Sequence, residues 1–355
     1  MSSMSLPKTT RAAILVEQKK PLVIDEIGLP AQLDVGQAMV EIHCSGICGS
    51  QLGEIDGAKG EDKFLPHLLG HEGSGTVLAT GPGVRHVKAG DRVVLHWRKG
   101  PGIEAPVPAY TWQGKKLNAG WITTFNRHAV ISENRLTPIP ADSDLEVAAL
   151  FGCAVTTGFG VVQNNARVKI GESVVVFGAG GVGLNIVQAA GLSGAYPIVA
   201  VDLHDNRLAL AKQMGATHLV NGSREDARAK IREIAGAALD VFIDNTGQPA
   251  IIQMGYELTG PQGRVILVGV PRKGNDISIY SLPMHFGKIL TGSHGGEAVP
   301  ERDIPRYHAL FKAGRVRLRE LITDFYPLEG INTAIAKMRD GSLAGRCLIR
   351  MAEGK

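Results

Sequence analysis

Between Ser173 and Val201 the chain carries no charged residue, a run long enough to cross a bilayer. The run nevertheless holds six glycines, Pro197, Asn185 and Gln188, and no aromatic belt flanks it. That texture belongs to a buried strand–helix–strand unit. It opens on an apolar strand, Ser173–Phe177, continues as a helix, Val182–Leu192, and ends on a second strand, Ile198–Asp202. Gly178, Gly180 and Gly183 sit at the first strand-to-helix turn in G-x-G-x-x-G spacing, and Asp202 follows 19 positions after Gly183. Glycines in that spacing carry little weight alone. After an apolar strand, at a helix start and with an acid closing the next strand, they form the dinucleotide-binding fingerprint.

Each part of the fingerprint has a physical task. Gly178 permits the tight turn, Gly180 lets the backbone approach a pyrophosphate, and Gly183 lets helix pack on strand. Gly181 and Val182 complete the loop, whose helix end offers unpaired N–H groups and a positive dipole to phosphate. Asp202 suits the adenosine ribose hydroxyls and repels a 2′-phosphate, which favours NAD(H) over NADP(H). Arg207 is a counterweight, because an arginine accepts that phosphate.

The same alternation runs on. Helices are expected at Arg207–Met214, Arg224–Ala235 and Ala250–Leu258, with strands at Leu219–Asn221, Val241–Asp244, Arg264–Val270 and Lys288–Thr291. Continuous apolar strands between helices imply a parallel sheet covered on both faces. Before it, short β-like runs such as Ala38–His43, Gly73–Ala79, Asp91–His96 and His128–Ser132 are separated by Gly- and Pro-rich turns. Helical patterns begin at Leu145–Leu150 and Val155–Val162, and a last strand is expected at Arg346–Arg350. The fold class is therefore α/β: a mostly β part and a doubly wound parallel sheet, as 355 residues allow at about 150 per domain.

The net charge of +4 is too small to point to a nucleic-acid or anionic-membrane partner. The basic runs Lys19-Lys20, Lys115-Lys116 and Arg315/Arg317/Arg319 read as solvated faces. Near the start, the apolar run Ala12–Val16 is too short for a signal-peptide core, so a cytoplasmic protein is expected. Four cysteines exclude a disulfide-dense scaffold and a four-thiolate zinc ribbon. Cys44 and Cys347 lie in strand-like runs and read as small apolar fillers. Cys48, the His71-Glu72 pair and Cys153 could hold a tetrahedral zinc with one open position, though spacing alone leaves unrelated buried residues at least equally open.

The combination resembles the zinc-containing medium-chain dehydrogenase/reductase family, the alcohol dehydrogenases in particular. The resemblance rests on Gly46–Ser50 (GICGS), Gly70–Gly75 (GHEGSG), Val87–Val93 (VKAGDRV), Gly152-Cys153, Thr156–Gly158, Gly178–Gly183, Val268–Val270 and Gly345-Arg346, in the family's order along nearly the whole chain. It implies a GroES-like catalytic domain from both chain ends, residues 1–154 and 294–355, with a Rossmann NAD-binding domain, 155–293, inserted and zinc in the cleft between them. By position Cys48, His71 and Cys153 match the zinc ligands. Glu72 matches a carboxylate that can approach the metal, and Ser50 the hydroxyl that takes the alcohol proton. Thr157 and Val268, Gly269 and Val270 match residues around the nicotinamide, Arg346 one near the pyrophosphate, and Trp97 an aromatic wall of the substrate pocket. The resemblance further implies a small-molecule alcohol or carbonyl substrate and a homodimer or homotetramer.

Departures from the family narrow the expectation. Arg98–Gly120 stands where the family places four structural-zinc cysteines and contains none, so one catalytic zinc and no structural zinc are expected. The segment reads as a surface loop, or as one whose Tyr110 or Trp112 borders the substrate entrance or a subunit contact. Gln51 replaces a common Asp beside the ligand histidine and is expected to accept a hydrogen bond from His71 without charge. Gly53 stands near the position of the histidine that often ends the proton relay. His43, His67, His96 and His294 are candidates only by being present. Cys153, where polyol dehydrogenases of the family usually have Glu, favours alcohol and aldehyde chemistry. A sugar, cyclitol or amino-alcohol dehydrogenase, and a catalytically silent relative, are the rival readings.

Overall fold

The strand Gln37–Gly46 is buried at eight of its ten positions, which a strand achieves only with neighbours on both edges and cover on both faces. In the computed structural model, which describes residues 6–351, it pairs antiparallel with Glu72–Thr80, His128–Ser132 and Arg346–Arg350. Further strands at Arg92–His96, Leu136–Ile139 and Ile322–Pro327 bring this sheet to seven. A five-stranded sheet joins His67–Leu68, Thr9–Leu15, Val23–Gly28, Tyr110–Trp112 and Lys115–Leu117. Ala12, Ile14, Ile27, Met39, Tyr110 and Val130 belong to one buried cluster.

The described chain divides into two compact units. One holds the chain up to Cys153, Val299–Asp340 and the chain from Cys347; the other holds Ala154–Ala298 and Gly341–Arg346. The short return of 341–346 to the second unit is absent from the expected boundaries, because six residues carry no periodicity of their own.

In the first unit, the segment expected as a surface loop contains a hairpin. Tyr110–Trp112 pairs with Lys115–Leu117 across Gln113 (φ 49°) and Gly114 (φ 73°), two left-handed residues that match the twist of the flanking strands. Tyr110 does not border an entrance: it is fully buried, and its hydroxyl receives the Val130 N–H at 2.7 Å. Burial pushes its pKa up to about 12. The Trp112 indole N–H donates to Asp25 at 2.8 Å. The N–H groups of Arg85, His86 and Ile103, ahead of the hairpin, donate to the Glu133 carboxylate beyond it. Glu104 pairs with Lys99 and Arg135.

The second unit is a six-stranded sheet in the order His218–Asn221, Ile198–Asp202, Val174–Phe177, Leu239–Asp244, Thr259–Leu267, Ile289–Gly292, every pair parallel. Its core includes Val175, Val199, Val201, Phe242 and Val265. Helices Gly181–Leu192, Asp205–Gln213, Ala227–Ala235 and Pro249–Leu258 alternate with the strands. The strand order reverses beside Val174–Phe177, and such a switch point is where open α/β sheets bind ligands.

Some element ends differ from expectation for local reasons. The helix expected from Arg224 begins at Ala227, because the Asp226 carboxylate caps it by accepting from the Arg228 and Ala229 N–H groups. The strand expected over Arg264–Val270 covers Thr259–Leu267. It stops there because the N–H groups of Val268 and Gly269 both turn to the Asp244 carbonyl. The helix expected over Val155–Val162 is Ala154–Gly160, followed by a wider π turn, Val161–Ala166. No helix among the described residues is long and apolar enough to cross a membrane.

Candidate functional site

Three separate turns of the first unit bring Cys48, His71 and Cys153 together. Cys48 follows the central strand Gln37–Gly46 and is the N-cap of the short helix Gly49–Ile55. His71 follows Gly70, whose φ of +95° belongs to the left-handed region. A Cβ on Gly70 would also meet the Phe125 backbone N at 2.8 Å. Cys153 follows Gly152, where a Cβ would lie 2.3 Å from the Leu95 carbonyl oxygen. The ligand atoms of the three residues all lie within 4.8 Å of one another.

The chemistry of this group suits zinc. Two thiols and an imidazole are a tetrahedral donor set that leaves one position open, at bond lengths of about 2.0–2.3 Å. His71 Nε2 is buried and has no hydrogen-bond partner, which costs free energy unless something takes its lone pair or proton. Burial works against charging His71, but the neighbouring Cys48 and the carboxylates of Glu72 and Glu54 outweigh it and raise its pKa above the ordinary value. None of the four cysteines is in a disulfide, and all four are buried. Burial pushes Cys44 up to about 12, which keeps it an inert thiol as expected of a filler.

Residues around this group have defined places. Glu72 is wholly buried and leans over Gly46, where an added Cβ would sit 2.3 Å from its carboxylate oxygen. Ser50 Oγ is buried without a hydrogen-bond partner. The Trp97 ring stands edge-on to His71, with centroids 6.5 Å apart.

Three of the histidines considered for a relay have structural partners in this unit. His43 meets the Thr76 hydroxyl, and His67 meets Asp62 and the Leu68 carbonyl. His96 lies between the Arg98 carbonyl and the Thr137 hydroxyl, and burial lowers its pKa to about 4.

Gln51 corrects the expectation. It does not accept from His71. Its Oε1 receives the Cys48 N–H at 2.9 Å, which leaves Nε2 against His71 Nδ1. The pattern was open to a sequence reading, since a cap residue with Gln three positions later is a capping box.

The glycine loop of the second unit forms a cradle. Gly178 has φ +94°, and a Cβ on Gly183 would lie 2.0 Å from the Gly178 carbonyl oxygen. A Cβ on Gly180 would meet nothing within 4 Å, so that backbone faces open space. Gly181 packs against the Arg346 side chain. Val182 lies in the first turn of the helix Gly181–Leu192, and Thr157 is buried in the helix Ala154–Gly160.

Asp202 closes its strand and accepts three backbone N–H groups, from Ala179 (2.8 Å), Leu203 (2.8 Å) and His204 (3.1 Å). It thereby ties the glycine loop to the next strand, and an ionised carboxylate still has a lone pair to offer a hydroxyl. Arg207 Nη1 stands 3.8 Å from Asp202, and its Nε–H donates to the Leu343 carbonyl. Gly269 packs against the backbone of Asn245–Gly247, and Val270 is 55% exposed.

Known proteins resemble this chain in sequence and in fold. Residues 34–141 match the alcohol dehydrogenase GroES-like domain, and residues 181–313 the zinc-binding dehydrogenase family. Alcohol dehydrogenase class-3 of Cereibacter sphaeroides is 32% identical over 94% of this chain and 97% of its own length. S-(hydroxymethyl)glutathione dehydrogenase of Paracoccus denitrificans is 31% identical over the same shares. Among solved structures, an alcohol dehydrogenase zinc-binding domain protein from Burkholderia ambifaria superposes with a TM-score of 0.89 at 31% identity, covering 97% of this chain and 99% of that one. Benzyl alcohol dehydrogenase from Acinetobacter calcoaceticus gives 0.87 at 28% identity, covering 98% and 100%. With its cysteine–histidine group, its glycine cradle and these likenesses along nearly its whole length, the chain belongs to the zinc-containing medium-chain alcohol dehydrogenase family.

Proposed function

We propose that this chain is a zinc-dependent alcohol dehydrogenase that exchanges hydride between a small alcohol, or its aldehyde or ketone, and NAD. The observation that carries the proposal is the convergence of Cys48, His71 and Cys153 from three distant turns. Unrelated buried residues have no reason to put two sulfurs and an imidazole nitrogen in one place. In this reading the three hold one zinc per chain, and residues 155–293 serve as the dinucleotide-binding part. Bound there, zinc supplies a Lewis acid that lowers the pKa of an alcohol hydroxyl, and NAD supplies the carbon that accepts the hydride.

The chain's own residues then position and transfer the proton. Ser50, whose buried Oγ lacks a partner, takes the substrate's hydroxyl proton and passes its own outward. Glu72 keeps a carboxylate close behind the cysteine–histidine group. Trp97, edge-on to His71, offers an apolar wall to the substrate's carbon skeleton. Gly178, Gly180, Gly181, Val182 and Gly183 receive the pyrophosphate with Arg346 beside Gly181. Asp202 takes the ribose, with Arg207 beside it, and Thr157 with Val268, Gly269 and Val270 contacts the nicotinamide end.

We also place the enzyme in the cytoplasm, where thiol ligands stay reduced, and propose a homodimer through the edge strand Ile289–Gly292. That edge has no outer neighbour among the described strands, and Tyr280, Phe286 and Ile289 near it are exposed by 71%, 66% and 45%.

The test is zinc content together with NAD reduction over a panel of primary, secondary and aromatic alcohols. One zinc per chain with NAD-linked turnover is expected. No zinc and no turnover would sink the proposal.

A further inference from the structure

The hydrogen-bond directions at Gln51 set two buried demands against each other. The Cys48 backbone N–H can only donate, so the Gln51 atom that receives it at 2.9 Å is the amide oxygen. The Gln51 amide nitrogen is therefore the atom against His71 Nδ1, and it too can only donate. Nδ1 accordingly presents its lone pair. A neutral imidazole with its lone pair at Nδ1 carries its proton at Nε2.

Nε2 is the nitrogen of His71 that is buried without a hydrogen-bond partner. For Nε2 to bind a metal, the proton must move to Nδ1, and an acceptor must then face Nδ1. Gln51 is 1% exposed, so no water competes freely for the position. Turning the amide over satisfies Nδ1–H but points two amide hydrogens at the Cys48 N–H.

We propose that Gln51 is a positioning residue that sets the tautomer of His71 and thereby weakens this chain's hold on zinc. The inference rests on the reading of Cys48, His71 and Cys153 as the zinc ligands. A carboxylate of the same length has two acceptor oxygens and meets both demands at once, receiving the Cys48 N–H and His71 Nδ1–H together. Gln51→Glu is therefore expected to bind zinc about 10–100-fold more tightly than the parent chain, the range by which groups hydrogen-bonded to metal ligands tune affinity.

The experiment is competition for zinc against a chromophoric chelator with the full chain, parent and Gln51→Glu, each checked for folding by circular dichroism. Tighter binding by the folded variant supports the inference, and equal or weaker binding overturns it while leaving the zinc reading intact. If neither protein competes for zinc at all, the zinc reading itself fails.

Ring nitrogen-15 spectra of His71 in the parent chain need no variant and decide the matter if Gln51→Glu does not fold. After zinc is stripped, the proton is expected on Nε2, with zinc moving it to Nδ1 and shifting the Gln51 side-chain amide signals. A proton on Nδ1 in the stripped protein overturns the inference.

Discussion

Single atoms decide most of the chemistry assigned to this chain. Cys48→Ala removes one of two thiols from a three-residue donor set. Zinc content is expected to fall well below one per chain and NAD-linked turnover to vanish, with the circular dichroism spectrum unchanged; retained zinc would remove Cys48 from the ligand set. Asp202 argues differently, because its carboxylate has two tasks. It accepts three backbone N–H groups, and in the proposed reading its charge meets the ribose. Asp202→Asn keeps one acceptor oxygen and loses the charge, leaving Arg207 unopposed at 3.8 Å. The ratio of kcat/KM for NAD over NADP is expected to drop on the order of tenfold, as losing one close charge–charge repulsion near a surface warrants. An unchanged ratio would mean that cofactor choice is made elsewhere.

At the scale of elements, the glycine loop offers a clean separation of folding from binding. A Cβ at Gly183 collides with the Gly178 carbonyl, whereas one at Gly180 enters open space. Gly180→Ala is therefore expected to leave unfolding free energy within about 0.5–1 kcal/mol of the parent. It should sharply reduce the rise in melting temperature that NAD produces. Gly183→Ala should instead lower the melting temperature of the protein before any cofactor is added. If Gly180→Ala keeps full NAD stabilisation, that backbone does not meet the pyrophosphate.

This loop was legible in the sequence because its whole logic is local: strand, turn and helix lie within Val174–Leu192. The hairpin at Tyr110–Leu117 was not, because what makes Tyr110 a core residue is Val130, 20 positions away. The cysteine–histidine group needed the resemblance for the same reason. Cys48 and Cys153 lie more than a hundred positions apart, and the backbones that crowd Gly70 and Gly152, at Phe125 and Leu95, are likewise distant in sequence. The direction of the Gln51 hydrogen bonds was missed although its spacing from Cys48 is local. Gln offers both a donor and an acceptor, and its capping-box spacing was the signal that assigns the oxygen to the Cys48 N–H.

For the whole molecule, His43, His96, His128 and His308 contribute a pH slope of one sign to stability, opposite to that of His71, whose pKa is raised. Burial lowers His96 to about 4 and also lowers His43, His128 and His308. Between the ordinary histidine value near ~6.5 and the folded value, the unfolded chain binds more protons, so stability rises with pH through that window. Unfolding free energy from urea titration is expected to fall from pH 7 to pH 5, and His96→Gln should flatten part of that slope. A slope that His96→Gln leaves unchanged or steepens would contradict the neutral buried state of His96.

Assembly is tested at the same scale. Ile289→Lys places a charge on the exposed edge strand, and light scattering should then report monomers where the parent gives dimers. A parent that is already monomeric contradicts the proposed contact.

In the proposed reading, Cys48, His71 and Cys153 hold the metal on which alcohol oxidation depends. The most direct test is metal analysis of the purified chain alongside its NAD-linked activity, before chelation, after chelation and after zinc is returned. One zinc per chain, loss of activity with the metal, and recovery on its return are expected. Activity that persists in fully chelated protein would contradict that reading.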